Sequence, residues 1–446
     1  MSVPSLDPST KLLRFTWVCT ANVTRAKAVF IPNCKDLQKI ADTGIPLCTA
    51  VEALPVMYDA TAPDSGVTAV GEVRMKPDWT TLTSIPYSKG HARVMINMYE
   101  ENGDPSGLCP RLFLKRMTDE AAKEGIYIKA GFENEFILLQ RTTDGSVKPV
   151  DDTVYASTLS MDINCDVMTD ILDALVKQGI DIELYHPEAA NGQQELSIRY
   201  SDVLTAADQQ VIVRETVKAV ALKHNMIATF LPKVFQDQAG SGTHIHLSLH
   251  TKDGKNIVPS ETKEDEISEV TGHFIAGMLE HLSGLMAVSV PTTNSLRRIA
   301  PCFWSGAFKI WGYGNREAAI RVPSNACQPN PTHFELKTSD ACGNPYFVLG
   351  AAIAAGMDGI KRNLPIPPPY QDDPGVLSEE ELKKNNIIPL PRTVDLTAKA
   401  LEEDKVLADA FGPRLTRAIV AVRRFEYKAM KNMSLEEERA LLLQRY

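Results

Sequence analysis

The chain has 446 residues, of which 44% are apolar, 23% charged and 7% aromatic, an ordinary composition for a globular protein. Its net charge of −9 and pI near 5.6 exclude a nucleic-acid-binding or anionic-membrane-binding class, because no basic cluster could neutralise phosphates. No apolar run reaches 18 residues and the N-terminus has no signal-peptide pattern, so we expect a cytoplasmic protein without a membrane span. The eight cysteines form no CxxC pair, which favours reduced thiols.

The first part of the chain, residues 1–105, alternates short β-rich segments with turn clusters. LLRFTWVC and ARVMINMY are typical of strands, while PDSG and ENGDPSG are typical of turns. One segment, CKDLQKIADTG, predicts a helix that ends at Gly44. We therefore expect a small mixed domain with a twisted sheet.

The second part, residues 106–446, has longer helical patterns between polar strands. Helices are predicted at PRLFLKRMTDEAAKEG, MTDILDALVKQG, LTAADQQVIVRETVKAVALKHN, EVTGHFIAGMLEHLSGLMAVS and PYFVLGAAIAAGMDGIKR. A proline-rich linker, LPIPPPYQDDPG, precedes an acidic helical C-terminal region. This order predicts an α+β fold class with an antiparallel sheet whose strands carry much of the charge.

The segment GFENEFILL predicts a strand with two carboxylates on one face. Side chains alternate along a strand, so Glu133 and Glu135 point the same way, opposite Phe132, Asn134 and Phe136. Paired carboxylates in such an apolar strand repel each other and lose hydration. This favours a bound cation over a solvated outer face.

Two further segments add polar groups of the same kind. In HPEAANGQQEL, a glycine-containing turn could bring Glu195 back beside Glu188, although a loop with two glutamates is weak evidence alone. In AGSGTHIHLSLH, His244, His246 and Ser248 alternate with apolar residues. A row of polar groups on one strand face fits ligand binding better than a structural role.

The last segments supply cations and a further acid. Arg297, Arg298, Arg316 and Arg321 lie in apolar surroundings, where guanidinium groups usually meet carboxylates or phosphates, with surface salt bridges as the alternative. HFELK places Glu335 and Lys337 on one strand face. Acidic groups with histidine suit Mg²⁺ or Mn²⁺, and metals beside arginines suit phosphoryl transfer. No P-loop or Rossmann fingerprint is present.

These segments, in this order, resemble the landmarks of the glutamine synthetase superfamily. The resemblance runs from RFTWVCTANVTRAKAV to the last helices, and GSGTHIHLSL, NREAAIRVP and NPYFVLGAAIAAGMDGI carry it most specifically. It implies a small N-terminal β-grasp-like domain and a large C-terminal domain with a cup-shaped antiparallel sheet flanked by helices. It also implies a homo-oligomer, usually a dodecamer of two hexameric rings with active sites shared between neighbours.

The resemblance further implies two or more Mg²⁺ or Mn²⁺ ions in each site, with ATP as co-substrate. The positions matching the ligands of the first metal are Glu135, Glu188 and Glu195, and those matching the second are Glu133, His244 and Glu335. Positions matching the nucleotide pocket are Glu183, His246 and Ser248. Arg298 and Gly240 match contacts to the glutamate substrate, and Arg316 and Arg321 match the phosphate-facing arginines.

The sequence departs from the family pattern mainly around the amine. Ammonia-using members carry a flap glutamate six residues after the arginine that matches Arg298, and this position is Trp304 here. Ala239 replaces an asparagine, and Lys337 replaces an arginine of the substrate pocket, keeping its charge but not its fork. The ammonium-binding acid from the neighbouring subunit matches Asp59 or Asp64.

The predicted function is therefore an ATP-dependent carbon–nitrogen ligase that joins an organic amine to the γ-carboxylate of glutamate through γ-glutamyl phosphate. γ-Glutamylamide and γ-glutamylpolyamine synthetases are the members closest in character. Two alternatives stay open. One is an ammonia-using glutamine synthetase with a different base, and the other is an inactive structural relative.

Overall fold

The computed structural model describes residues 2–323 and 330–446. Cys327, one of the eight cysteines, lies outside these residues, and the other seven are free thiols in the described chain. None of the described helices is long and apolar enough to cross a membrane.

The N-terminal part is built on a six-stranded sheet. Its elements are β1 Leu12–Val18, β2 Thr24–Phe30, α1 Leu37–Thr43, β3 Ile45–Cys48, β4 Glu72–Pro77, β5 Thr83–Ser84 and β6 His91–Tyr99. The strand order is β2-β1-β6-β4-β3, with β5 on β6, and β1 pairs parallel with β6. Asp36 accepts the Lys39 N–H at the start of α1, and Gly44 ends it at φ +76°, as the sequence predicts.

The second part contains a larger sheet and most of the helices. Its elements are α2 Pro110–Lys123, β7 Tyr127–Arg141, β8 Val147–Pro149, α3 Thr158–Ile163, α4 Cys165–Val176, β9 Ile182–Pro187, β10 Gln193–Ile198, β11 Ser201–Asp202, α5 Val203–Lys223, β12 Ile227–Thr229, β13 Ile245–His250, α6 Glu269–Glu280, α7 Leu282–Ser289, α8 Thr293–Arg298, β14 Phe308–Tyr313, β15 Ala318–Val322, β16 Phe334–Leu336, α9 Pro345–Arg362, α10 Glu379–Lys384, α11 Val394–Glu403, α12 Lys405–Phe411, α13 Pro413–Met430 and α14 Leu435–Leu442.

Strand β7 is the centre of this ten-stranded sheet. The order is β14-β15-β16-β13-β7-β10-β9, with β8, β11 and β12 also paired to β7. These pairs are antiparallel, as predicted, except that β14 and β15 run parallel. Helices α5, α6 and α9 bury apolar residues in the same core as this sheet, so one face is covered while the polar face stays available.

One helix that the sequence predicts as continuous is divided into two helices in the structure. The sequence predicts a continuous helix over residues 269–289, but α6 ends at Glu280 and α7 begins at Leu282. Between them, the two ring nitrogens of His281 bond to Asp404 (2.7 Å) and Asp358 (2.9 Å). The side chain is thus held between two carboxylates, and the backbone turns there.

The two sheets belong to one connected structure. The Asn22 side chain, just after β1, donates to the carbonyls of Ala341 and Gly343, both at 2.8 Å. On the same side, Arg423 of α13 donates to the Thr20 carbonyl at 2.7 Å. These buried bonds anchor the N-terminal sheet against the part of the chain that follows β16.

Candidate active site

Carboxylates from two neighbouring strands face each other at the centre of the large sheet. In the antiparallel register of β7 and β10, Glu195 lies directly opposite Glu135, and Ser197 lies opposite Glu133. Both Glu135 and Glu195 are buried. Like charges in opposed positions destabilise a sheet, so this arrangement needs a compensating positive charge.

Histidines from β13 approach the same carboxylates. Nδ1 of His244, at the entrance to β13, lies 3.1 Å from Glu133 Oε2 and 3.3 Å from Glu335 Oε1. Nε2 of His246 lies 3.0 Å from Glu133 Oε1, and β16 brings Glu335 opposite His246. The structure therefore gathers the three residues predicted for the second metal and adds His246 to them.

A second group forms around the loop after β9. Nε2 of His186 lies 3.0 Å from Glu188 Oε1 and 4.0 Å from Glu195 Oε2. His186 pairs with Glu195 across β9 and β10, and the sequence analysis missed it. The spacing in HPE was the available signal, because residues two apart on a strand share a face.

The pKa values of these acids reflect how closely they are packed. Burial, followed by repulsion from Glu135, raises the pKa of Glu195 to about 9. Burial opposes ionisation of Glu133, but hydrogen bonds from His244 and His246 hold its pKa well below the usual range. For buried Glu335, the Lys337 ammonium and the histidines outweigh desolvation and hold the pKa at about 2.

The site has donors and space suited to divalent cations. Two sets of side chains could each hold an ion, with ligand atoms within 4.8 Å of one another: Glu133, His246 and Glu335, and His186, Glu188 and Glu195. Nε2 of His244 is buried without a hydrogen-bond partner among the described residues. A Cβ at Gly242 would lie 2.6 Å from that nitrogen and 3.0 Å from Glu135 Oε1, so glycine keeps this space open. Carboxylates with imidazoles suit Mg²⁺ or Mn²⁺.

The residues predicted to contact glutamate lie beside this cluster. Arg298 is buried, and its Nη2 donates to the carbonyls of Ser339 (2.8 Å) and Lys337 (3.3 Å). Its Nε has no partner among the described residues, which leaves a donor for an anion. A Cβ at Gly240 would lie 2.5 Å from Arg298 Cγ, so these two positions are in contact.

Gln193 connects the glutamate side to the carboxylates, and the sequence analysis missed it. Its Nε2 lies 3.0 Å from Glu135 Oε2, 3.1 Å from the Gly240 carbonyl and 3.2 Å from Ser241 Oγ. The Gly242 N–H also donates to Glu135 Oε2, at 3.0 Å. The glycine-rich turn is therefore fixed directly against a predicted metal ligand. The buried Lys337 ammonium lies 3.4 Å from Glu335.

A cavity of about 570 Å³ lies next to the metal-binding candidates. The residues predicted to line a nucleotide pocket, Glu183, His246 and Ser248, all line it, together with Glu133. Its volume is within the usual range for small-molecule sites. His250, which continues the polar row of AGSGTHIHLSLH, also lines it. Further lining residues that the sequence analysis missed are Tyr200, Asn256 and His333. A larger cavity of about 840 Å³, beside Asp64 and α13, shares no lining residue with it.

The arginines take different positions. Nη1 of Arg321 pairs with Glu335 Oε2 at 2.9 Å, so this arginine reaches the carboxylate cluster. Arg316 is exposed in the turn before β15. Arg297 points elsewhere and pairs with buried Glu438 at 2.9 Å, as in the salt-bridge alternative.

The amine-side residues lie on two separate surface segments. Trp304 lies in the loop between α8 and β14, and 63% of its surface is exposed. Its backbone N–H donates to Glu317 Oε1 at 2.7 Å. Asp59 is on the N-terminal part, where its side chain is 76% exposed and pairs with Arg25 at 3.1 Å.

The sequence profile of the glutamine synthetase catalytic domain matches residues 107–441, well over half of the chain. The chain belongs to the glutamine synthetase family. This places it among ATP-dependent carbon–nitrogen ligases. It is 31% identical to type-1 glutamine synthetase 1 of Dictyostelium discoideum, over 98% of this chain and 90% of the relative. The glutamine synthetase of Thermus thermophilus is 35% identical over 83% of this chain and 85% of its own length.

The family match extends to members of γ-glutamylamide character. The gamma-glutamylpolyamine synthetase of Streptomyces coelicolor is 32% identical over 94% of this chain and 90% of that protein. The structure of a GmaS/ADP complex superimposes with a TM-score of 0.83 at 28% identity, over 98% of this chain and 97% of the other. A novel glutamine synthase homolog gives 0.85 at 26% identity over the full length of both chains. The predicted α+β architecture with a cup-shaped sheet is confirmed.

Proposed function

We propose that this chain joins an organic amine to the γ-carboxylate of L-glutamate, with ATP as the source of phosphate. In the first step a γ-carboxylate oxygen attacks the terminal phosphorus of ATP, the bond to ADP breaks, and γ-glutamyl phosphate forms. In the second step the amine nitrogen attacks the γ-carbonyl carbon, inorganic phosphate leaves, and the nitrogen loses a proton. ATP and the metals have the strongest support, because the metal-binding and nucleotide-lining positions all follow the family pattern. For glutamate, Arg298 and Gly240 follow that pattern, while Ala239 and Lys337 depart from it.

The first step joins two anions, so its barrier depends on charge neutralisation. Mg²⁺ or Mn²⁺ held by Glu135, Glu188 and Glu195, and by Glu133, His244 and Glu335, would supply Lewis-acid stabilisation of the phosphoryl group. Arg298, with its buried unpartnered Nε, would hold the α-carboxylate of glutamate. Lys337, 3.4 Å from Glu335, adds a positive charge at the same place.

The remaining arginines would act on the nucleotide side of the site. Arg321 already reaches Glu335, and Arg316 is exposed in the turn before β15, where it could swing onto a phosphate. Glu183, His246 and Ser248 line the 570 Å³ cavity that would hold the nucleotide.

The main observation that supports an organic amine as the acceptor is the tryptophan at position 304. In the family pattern this position is a carboxylate that holds and deprotonates ammonium. An indole cannot act as a base, but it offers an apolar face and a π surface to an alkylammonium group. A general base contributes about 10²- to 10⁴-fold, and its loss affects every acceptor, because each must lose a proton before it attacks. An alkylammonium group can offset part of this loss by binding to the indole, whereas ammonium has no alkyl group to bury.

The test is ADP release with Mg²⁺, ATP and glutamate, with ammonium, methylamine, ethanolamine, putrescine or spermidine as the acceptor. Mass spectrometry identifies the γ-glutamyl product. We expect one organic amine to exceed ammonium in kcat/KM, and Trp304→Glu to raise the ammonium rate relative to that amine. Trp304→Phe, which keeps an aromatic ring, serves as the matched control.

A second candidate, ammonia-using glutamine synthetase, is favoured by the names of two of the relatives. If ammonium gives the highest kcat/KM and Trp304→Glu brings no gain, this second function replaces the first. If no acceptor releases ADP while Mn²⁺ still binds, the chain is either a ligase for another acid or an inactive relative.

We also propose assembly into a dodecamer of two hexameric rings, with Asp59 of a neighbouring subunit completing the amine site. Two features support a role for Asp59 in a neighbouring subunit's site. Its side chain is exposed, and it lies in the N-terminal part of the chain, far in sequence from the other site residues. Light scattering on the purified chain measures the mass, and Asp59→Asn should weaken amine binding without changing that mass. A monomer with full activity contradicts the proposal.

A further inference from the structure

The loop that carries Trp304 has an unusual backbone. Cys302 and Trp304 both adopt left-handed conformations, with φ of +62° and +53°, although neither is glycine. Such conformations are uncommon for bulky residues and persist only where the surroundings hold them. Ser305 closes the loop, because its Oγ accepts the Ala300 N–H (2.9 Å) and donates to the Ala300 carbonyl (2.8 Å).

One buried carboxylate accepts a backbone N–H of this loop. Glu317, only 4% exposed, accepts the Trp304 N–H at 2.7 Å. This bond holds the backbone of Trp304, one of the two left-handed residues, at a fixed distance from Glu317. The loop loses that hydrogen bond if the carboxylate is removed.

Glu317 is held in place by contacts with the proline-rich linker, residues 364–375. Its N–H donates to Asn315 Oδ1 at 2.9 Å, and Asn315 Nδ2 donates to the carbonyls of Tyr370 (2.9 Å) and Asp372 (3.0 Å). A Cβ at Gly375 would lie 2.7 Å from Cys302 Sγ, so the linker also packs directly against the loop.

The same loop touches both sides of the proposed glutamate pocket. The Phe303 ring lies 5.3 Å from the Lys233 ammonium, which belongs to the segment leading to Gly240. At the other end, Thr338 Oγ1 donates to the Gly306 carbonyl at 2.8 Å, next to Lys337. A change in loop conformation would thus alter the space between these two sides of the proposed glutamate pocket.

We propose that Glu317 is the positioning residue of the acceptor site: by holding the 300–305 loop it fixes Trp304 and thereby sets which amines are accepted. This inference rests on the proposed function for its catalytic consequence, but the loop geometry stands independently of it. The second oxygen, Oε2, is buried without a hydrogen-bond partner among the described residues, so the carboxylate serves the loop and no other described group.

The test compares Glu317→Ala and Glu317→Gln with Glu380→Ala, which removes an exposed carboxylate from α10. Losing a hydrogen bond to a charged group corresponds to about 10- to 100-fold. We expect Glu317→Ala to raise the KM for the amine by about 10- to 100-fold. The ratios of kcat/KM between different amines should become smaller, while the KM for ATP stays within about twofold of the wild-type value. Glu317→Gln keeps one acceptor oxygen and should fall between wild type and alanine.

A readout independent of catalysis is the fluorescence anisotropy and acrylamide quenching of Trp304, obtained as the difference between each protein and its Trp304→Phe counterpart. We expect Glu317→Ala to lower the anisotropy and raise the quenching of Trp304. If the wild type uses no organic amine, the proposed function fails while this fluorescence result still decides the role of Glu317. Unchanged Trp304 fluorescence in Glu317→Ala, or equal rises in the KM of all three substrates, overturns the inference.

Discussion

Gly242 is the position where one added methyl group tests the site most directly. An alanine Cβ would lie 2.6 Å from His244 Nε2 and 3.0 Å from Glu135 Oε1, where ordinary contact begins at 3.4 Å. The imidazole must therefore move by about 0.8 Å. Because a displacement of about 1 Å costs roughly 10²-fold in rate, we expect Gly242→Ala to lower kcat/KM by that factor, about 2.7 kcal/mol in activation free energy.

The Gly242 N–H would still donate to Glu135 in the variant, so only the volume changes. The assays are ADP release and Mn²⁺ titration by calorimetry, and we expect affinity to fall by about 10- to 100-fold. Gly107→Ala is the matched control, because a Cβ there meets nothing within 4 Å. Wild-type Mn²⁺ affinity and turnover in Gly242→Ala would refute the reasoning.

Two predictions concern stability. Burial disfavours the charged form of His281, but the hydrogen bonds that His281 donates to Asp404 and Asp358 outweigh it and raise the pKa of His281. Its stabilising contribution is therefore fully present below the unfolded pKa and is lost as pH rises through the folded pKa. In urea unfolding, the advantage of wild type over His281→Gln should shrink as pH increases, and a constant advantage would contradict this. Asp208→Ala should cost about 3 kcal/mol of unfolding free energy, because it removes a 2.8 Å partner of buried Arg111; a loss below about 1 kcal/mol would contradict this.

The sequence predicted the site best where charged or polar side chains occupy alternate positions of a strand. The alternation in GFENEFILL predicted that Glu133 and Glu135 share a face, and the structure has them on the polar side of β7. The period of two in THIHLS likewise predicted that His244 and His246 approach the same site. The two-residue alternation along a strand is enough to determine which face a side chain occupies. The shared faces of these residues can therefore be predicted from short segments.

Partners across the sheet and breaks caused by distant residues could not be predicted in this way. The spacing of His186 from Glu188 was a local signal, but its position opposite Glu195, nine residues away, became recognisable only from the pairing of β9 with β10. At the break between α6 and α7, His281 is bonded to Asp404, more than 100 residues later, a contact that local periodicity does not describe. The parallel pairing of β14 with β15, across Arg316 and Glu317, also depends on a turn that local periodicity does not describe.

The opposed carboxylates of β7 and β10 have a consequence for how this protein can evolve. A sheet with Glu135 directly across from Glu195 is less stable than one with an apolar or oppositely charged pair there. Selection for heat resistance alone would replace one of them, whereas selection for catalysis retains both. Consensus-based or computational stabilisation of this chain should therefore leave these two positions unchanged. A higher free energy of unfolding would be obtained there only by removing a carboxylate from the proposed metal site.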